Sequence, residues 1–184
     1  MTTQIKSGTL VLRPSQDGDL PAIQQIYGLA VQNGTGTFET EVPDQAEMAR
    51  RRAEVLGRGL PWLVAERDGQ LLGYAYANYF RPRLAYRFCV EDSIYLHPSA
   101  QGQGVGRLLL AELIARCEAA GARQMLAVIG DAENHGSVGL HRSLGFAHTG
   151  VLKSAGWKFG RWLDVVMMQR TLGQGDQSQP EQDS

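Results

Sequence analysis

Cysteine is scarce in this sequence. Its 184 residues contain two, Cys89 and Cys117, without metal-ligand spacing and too few for a disulfide framework. A metal-clustered or disulfide-built scaffold is therefore excluded, no metal is expected, and a reducing, cytoplasmic setting fits best. Long apolar runs are also missing: no stretch approaches the roughly 18–20 residues a membrane span needs. The polar start, Met1 to Gly8, lacks the apolar core of a secretory signal. Neither sign of charge prevails, with 18 basic and 19 acidic residues and a net charge of −1. That balance argues against the basic footprint of a nucleic-acid-binding domain. The local run Arg50-Arg51-Arg52, with Arg58 behind it, reads as a solvated helix face.

What is present suffices for a core, since 43% of the residues are hydrophobic. No repeat or linker divides the chain, which predicts one domain over residues 1–172. From Gly173 the tail is Gln, Asp, Ser, Glu and Pro without a large apolar residue, which predicts disorder over 173–184. Thr9–Arg13 reads as a strand. Asp17 and Asp19 are N-cap candidates for a helix burying Ile23, Ile26 and Tyr27. Asn33–Thr37 reads as a flexible loop, Asp44–Leu56 as a charged helix, and Trp62–Glu66 and Gln70–Tyr79 as a hairpin turned at Asp68-Gly69. In the strand Cys89–Leu96, Glu91, Ser93 and Tyr95 share one face while Asp92, Ile94 and Leu96 share the other. Pro98 ends it. A helix from Val105 carries Val105, Leu108, Leu109 and Leu113 as its stripe and stops at Gly121. Gln124–Ile129 is a buried strand, Ser137–Leu144 a short helix, and Phe146–Leu152 and Arg161–Leu172 two last strands. The order predicts an α/β fold: one mixed sheet with helices on both faces.

Between the strand ending at Leu96 and the helix from Val105 lies Gln101-Gly102-Gln103-Gly104-Val105-Gly106-Arg107. Glycines here let backbone N–H groups converge on an anion at a helix N-terminus. Alone, the loop reads equally well as a turn. Its spelling excludes two rivals: Arg107 stands where a dinucleotide fingerprint needs Gly, and no Gly-Lys-Ser/Thr ends it as in a Walker loop. Gly136-Ser137-Val138-Gly139 is one residue short of a hydrolase elbow.

The remaining pattern, Gln101-x-x-Gly104-x-Gly106, resembles the acetyl-CoA loop of the GNAT superfamily of N-acetyltransferases. Asn134-x-x-Ser137-x-x-Leu140-His141-x-x-x-Gly145-Phe146 is similar to that superfamily's next motif. The resemblance extends over Leu10–Leu172 to the phosphinothricin and methionine sulfoximine N-acetyltransferases. It is carried by Phe38, Arg81-Pro82-Arg83 with Tyr86, Val90-Glu91, Ser93–Leu96, Ala127–Gly130 and Lys158–Asp164.

The resemblance implies an acyl-CoA N-acyltransferase fold in which Cys89–Leu96 and Gln124–Ile129 splay apart around acetyl-CoA. It implies acetylation of the α-amine of a small amino acid or analogue within a ternary complex, by a homodimer. Cofactor contacts are expected from Ile94, Tyr95, Leu96, Gln101, Gly102, Gln103, Gly104, Val105, Gly106, Arg107, Asn134 and Ser137. Glu91 matches the catalytic carboxylate, with Asp92 its competitor on the other face. His141 stands where related enzymes place a Tyr that protonates the leaving thiolate; it is an acid, a second base or a satisfied core residue. A strand N–H near Tyr95 or Leu96 would meet the thioester carbonyl. Phe38, Arg81, Arg83, Tyr86, Glu91 and Val128 are the acceptor candidates, although the two arginines read equally as a solubilised strand end. Trp62 reads as core, and Arg161 and Trp162 as dimer or sheet residues.

Overall fold

A computed structural model describes residues 8–180, so most of the polar start and residues 181–184 lie outside the described residues. The elements run β1 (Val11–Pro14), α1 (Leu20–Asn33), α2 (Gln45–Gly57), β2 (Trp62–Arg67), β3 (Gln70–Tyr79), β4 (Cys89–Leu96), α3 (Val105–Ala119), β5 (Gln124–Gly130), α4 (His135–Ser143), β6 (Ala147–Lys158) and β7 (Arg161–Thr171). They form one seven-stranded sheet of order β1-β2-β3-β4-β5-β7-β6. Every neighbouring pair is antiparallel except β4 and β5, which run parallel. This is the expected α/β architecture.

Local chemistry explains most boundaries. Asp68 and Gly69 both take positive φ, 52° and 76°, as a two-residue hairpin with right-handed strand twist requires. Asp44 caps α2 by accepting from the Glu47 N–H at 2.8 Å. Asp19 does not cap α1. Its carboxylate is taken by Arg13, at 2.7 and 2.8 Å, and by the Gln16 N–H. α1 and α2 cover the sheet face that carries Tyr95, whose ring meets Tyr27 of α1 edge-on at 4.9 Å. α3 and α4 cover the opposite face.

The core is largest under α3, where Val105, Leu109, Leu110, Leu113, Ile114 and Cys117 are buried. Leu108 is not in this stripe; it is 53% exposed, since the buried arc follows Leu109 and Leu113 round to Leu110 and Ile114. On the other face Trp62, a core residue as expected, stacks on Tyr76 at 4.1 Å.

Of the tail predicted to be disordered, residues 173–180 are described. They close in turns, and Arg123 donates to the Gly175 and Gln179 carbonyls and to Ser178. Arg51 and Arg52 are ties, not a solvated face: Arg51 pairs with Glu39 and Glu47, and Arg52 with Ser15 and Asp17. Trp162 is 62% exposed, so it does not belong to the sheet core. No helix among the described residues is long and apolar enough to cross a membrane.

Candidate active site

The parallel pair β4 and β5 stays together only from Cys89↔Gln124 to Asp92↔Ala127. Beyond Asp92 the strands diverge. Backbone groups alternate in direction along a strand. The His97 N–H reaches the Leu72 carbonyl and the Cys89 carbonyl accepts from Phe80, so odd-numbered residues of β4 face β3. Ile94 and Leu96 therefore present their N–H and C=O groups to the gap. On β5, the Asp131 N–H reaches Asp164 on the β7 side, which turns Val128 and Gly130 to the gap. Two unpaired strand edges thus line one cleft of about 970 Å³ that passes through the sheet.

One end of the cleft meets the glycine loop. Gln101, Gly102, Gly104, Gly106 and Arg107 line it, with Ile94, Tyr95, Leu96, Asn134 and Ser137. Gly104 precedes α3 with φ 78°, and no side chain caps the helix nor does any acid occupy its first turn. Its leading N–H groups are therefore free to bind an anion. Gly106 lies so close to β4 that a Cβ would meet Leu96 Cδ1 at 3.1 Å. Two predicted contacts do not reach the cleft. Gln103 turns away, donating to the Ser99 carbonyl and accepting from Arg67. Val105 is fully buried beneath the loop. Asn134 caps α4 through the Ser137 N–H at 3.2 Å.

Strand alternation places Glu91 on the α1 side and Asp92 on the α4 side, both at the apex of the divergence. Burial, reinforced by the charge of Asp92 and opposed by Arg81, pushes the Glu91 carboxyl up to about 7. Asp92 makes a buried pair with His141, Nε2 to Oδ2 at 2.9 Å, with both side chains at most 3% exposed. The other ring nitrogen, Nδ1, lies 2.7 Å from the Ser137 carbonyl. Both ring nitrogens face oxygen partners, an arrangement that favours positive charge on the ring. Burial works against that charge, but the hydrogen bond and charge of Asp92 outweigh it and raise the His141 pKa. A ring with both nitrogens engaged in this way is unsuited to act as a base.

On the α1 side, Phe38, Tyr76, Glu91 and Val128 line the same cleft. Tyr76 escapes a reading of the chain alone, because only the β3–β4 register sets it opposite Ser93. Arg81, Arg83 and Tyr86 do not line the cleft. Arg81 stacks on Phe80 at 4.3 Å, Arg83 precedes a short 3-10 turn (Leu84–Tyr86), and Tyr86 is 41% exposed. Their connection leaves the sheet, so spacing along a strand does not govern where they point. Arg81 still acts electrostatically on Glu91.

Comparison with known proteins agrees with this geometry. The model of the acetyltransferase (GNAT) family matches residues 23–146. The chain is 58% identical over 170 residues to a phosphinothricin N-acetyltransferase of Alcaligenes faecalis, covering 92% of this chain and 86% of that protein. It is 41% identical over 165 residues to an L-methionine sulfoximine/L-methionine sulfone acetyltransferase of Pseudomonas aeruginosa, covering 88% and 94%. A phosphinothricin acetyltransferase of Sinorhizobium meliloti, solved in complex with acetyl-CoA, superposes with a TM-score of 0.92 at 50% identity, covering 94% of each chain. The splayed parallel pair, the uncapped helix behind a glycine loop and these relatives together place the chain in the GNAT family of acetyltransferases.

Proposed function

We propose that this protein transfers the acetyl group of acetyl-CoA to the α-amine of a small amino acid of the methionine sulfone, methionine sulfoximine or phosphinothricin type. The observation that carries this reading is Glu91: a carboxyl with a pKa near 7 at the apex of a cleft that crosses the sheet. The cleft suits acetyl-CoA. Its size is at the upper end of small-molecule sites. The edges at Ile94, Leu96, Val128 and Gly130 offer hydrogen bonds to an amide-bearing arm, and the α3 N-terminus offers N–H groups to a diphosphate.

Acetyl-CoA supplies the thioester. The chain's own groups act on the acceptor and the thioester carbonyl. Glu91 takes a proton from the acceptor ammonium, directly or through one water, which frees the nitrogen lone pair. The Ile94 and Leu96 N–H groups, which face the gap, suit the thioester carbonyl oxygen; Tyr95, named above with Leu96, turns its N–H to β3. His141, with both ring nitrogens held by Asp92 and the Ser137 carbonyl, fits the satisfied core residue among its three expected roles, and the departing thiolate takes its proton from solvent. Phe38, Tyr76 and Val128 bound the acceptor, and Arg81 acts on Glu91 from outside the cleft. A cytoplasmic location fits the two free thiols, Cys89 and Cys117.

A homodimer belongs to the same reading. The β6–β7 hairpin lies at the sheet edge and exposes Leu152, Trp157, Phe159 and Trp162, with Trp157 and Trp162 paired across the strands. An exposed apolar edge of this kind favours pairing with a second copy. Light scattering should give twice the 20.1 kDa chain mass, and Trp157→Ser with Trp162→Ser should give the monomer.

Thiol release from acetyl-CoA tests the acceptor. Methionine sulfone, methionine sulfoximine and phosphinothricin should each exceed the common amino acids and spermidine in kcat/KM by about tenfold or more. Turnover confined to spermidine would overturn the acceptor class.

A further inference from the structure

Lys158, the last residue of β6, is 4% exposed, and its ammonium donates to two backbone carbonyls, Gly34 at 2.8 Å and Thr37 at 2.9 Å. Burial pulls its pKa down, with Glu39 acting the other way. Burying an ammonium is costly unless hydrogen bonds compensate it. Here the compensation comes from a single loop, Gly34–Phe38, which follows α1 and lines the cleft. The same loop is tied twice more. The Thr37 hydroxyl meets the Tyr27 hydroxyl at 2.9 Å, and Phe38 fills space left by two glycines. A Cβ on Gly156 of β6 would lie 2.3 Å from the Phe38 ring, and one on Gly130 of β5 would lie 2.2 Å from the Thr35 carbonyl oxygen. The predicted flexible loop is thus strapped to the far edge of the sheet.

We propose that Lys158 is a positioning residue for the acceptor: its ammonium ties β6 to Gly34–Phe38 and so holds Phe38 beside the cleft opposite Glu91. This rests on amino-acid acetylation as the reaction. The strap touches no part of the glycine loop and comes near an expected cofactor contact only at Gly36, whose Cβ position lies 3.6 Å from Asn134 Nδ2, so its main effect falls on the acceptor. A residue with only a structural role would lower thermal stability without separating the two Michaelis constants.

Steady-state kinetics on wild type, Lys158→Met, Lys158→Arg and Gly156→Ala test this. Lys158→Met should raise the acceptor KM by about tenfold or more and leave the acetyl-CoA KM within about twofold. Lys158→Arg keeps a charged donor and should recover part of the loss. Gly156→Ala, which crowds Phe38 without touching Lys158, should reproduce the split and decides the matter if Lys158→Met fails to fold. Hydrogen exchange at the amides of residues 34–38 should quicken in Lys158→Met. An unchanged acceptor KM in Lys158→Met or Gly156→Ala, or equal changes in both constants, would overturn the proposal. A wild-type protein that acetylates no amino acid would defeat the reaction assignment instead, and the exchange measurement would still report on the strap.

Discussion

Glu91→Gln is expected to lower kcat by about 10²–10⁴-fold while acetyl-CoA binds with nearly unchanged affinity. The substitution keeps the size of the side chain and removes its proton-accepting charge. The residues lining the glycine-loop end of the cleft, Gln101, Gly102, Gly104, Gly106 and Arg107 with Ile94–Leu96, are untouched. In the wild type the working form is the carboxylate, so kcat/KM should rise with pH through about 7 and level off above it. That limb should vanish in Glu91→Gln. Stability should move the other way. The folded pKa of about 7 exceeds the ordinary 4.5, so between these values the folded state binds more protons than the unfolded state. Wild-type stability therefore falls as pH rises through that window. Glu91→Gln escapes the penalty, and at pH 8 it should be more stable than wild type by roughly 1–3 kcal/mol, a gain absent at pH 4. Calorimetric titration with acetyl-CoA, a pH–rate profile and melting at the two pH values measure all three. An unaltered kcat would remove Glu91 from the mechanism.

The second large effect is expected at Asp92. Asp92→Ala leaves the buried His141 ring without its counter-charge, and breaking such a pair costs about 3–5 kcal/mol. For a chain of this length that lowers Tm by roughly 6–20 °C. The loss comes from the orphaned ring, so adding His141→Phe should cost less than the sum of the single changes, with a coupling of about 0.5–3 kcal/mol. The sign of the pH dependence follows from His141. Its folded pKa is raised above the ordinary 6.5, so the pair's contribution is complete below pH 6.5 and is lost as pH rises through the folded value. Additive single and double variants in denaturant melts would show that the two side chains do not stabilise one another.

Where the chain's geometry is local, its residues announce it. Asp68-Gly69 turns the hairpin, Asp44 caps α2, and alternation along Cys89–Leu96 places Glu91 and Asp92 on opposite faces. Glu91 is legible as a site residue through the family resemblance, and alternation serves only to separate it from Asp92. Other features depend on residues far apart. Lys158 reaches Thr37 across 121 positions, and Phe38 needs glycine at both 130 and 156. Nothing in the spacing of those residues signals that they meet. Leu108 was misplaced because helical periodicity defines an arc, not its phase against the sheet. Across 173–180 the contacts to Arg123 come from backbone carbonyls and the Ser178 hydroxyl, which apolar patterning does not reveal. Arg81, Arg83 and Tyr86 lie on a connection outside the sheet, where two-residue periodicity has no force.

The central claim is that the cleft between β4 and β5 brings acetyl-CoA to an amino-acid amine deprotonated by Glu91. The most direct test follows the acetyl group itself. Acetyl-CoA labelled in its acetyl carbons is mixed with wild-type protein and methionine sulfone, and thiol and products are quantified together by mass spectrometry. The predicted result is one N-acetylated methionine sulfone, labelled on its α-amine, for each thiol released, with release that is negligible without the acceptor. Thiol release that proceeds without the acceptor, or label that appears only as free acetate, would contradict it.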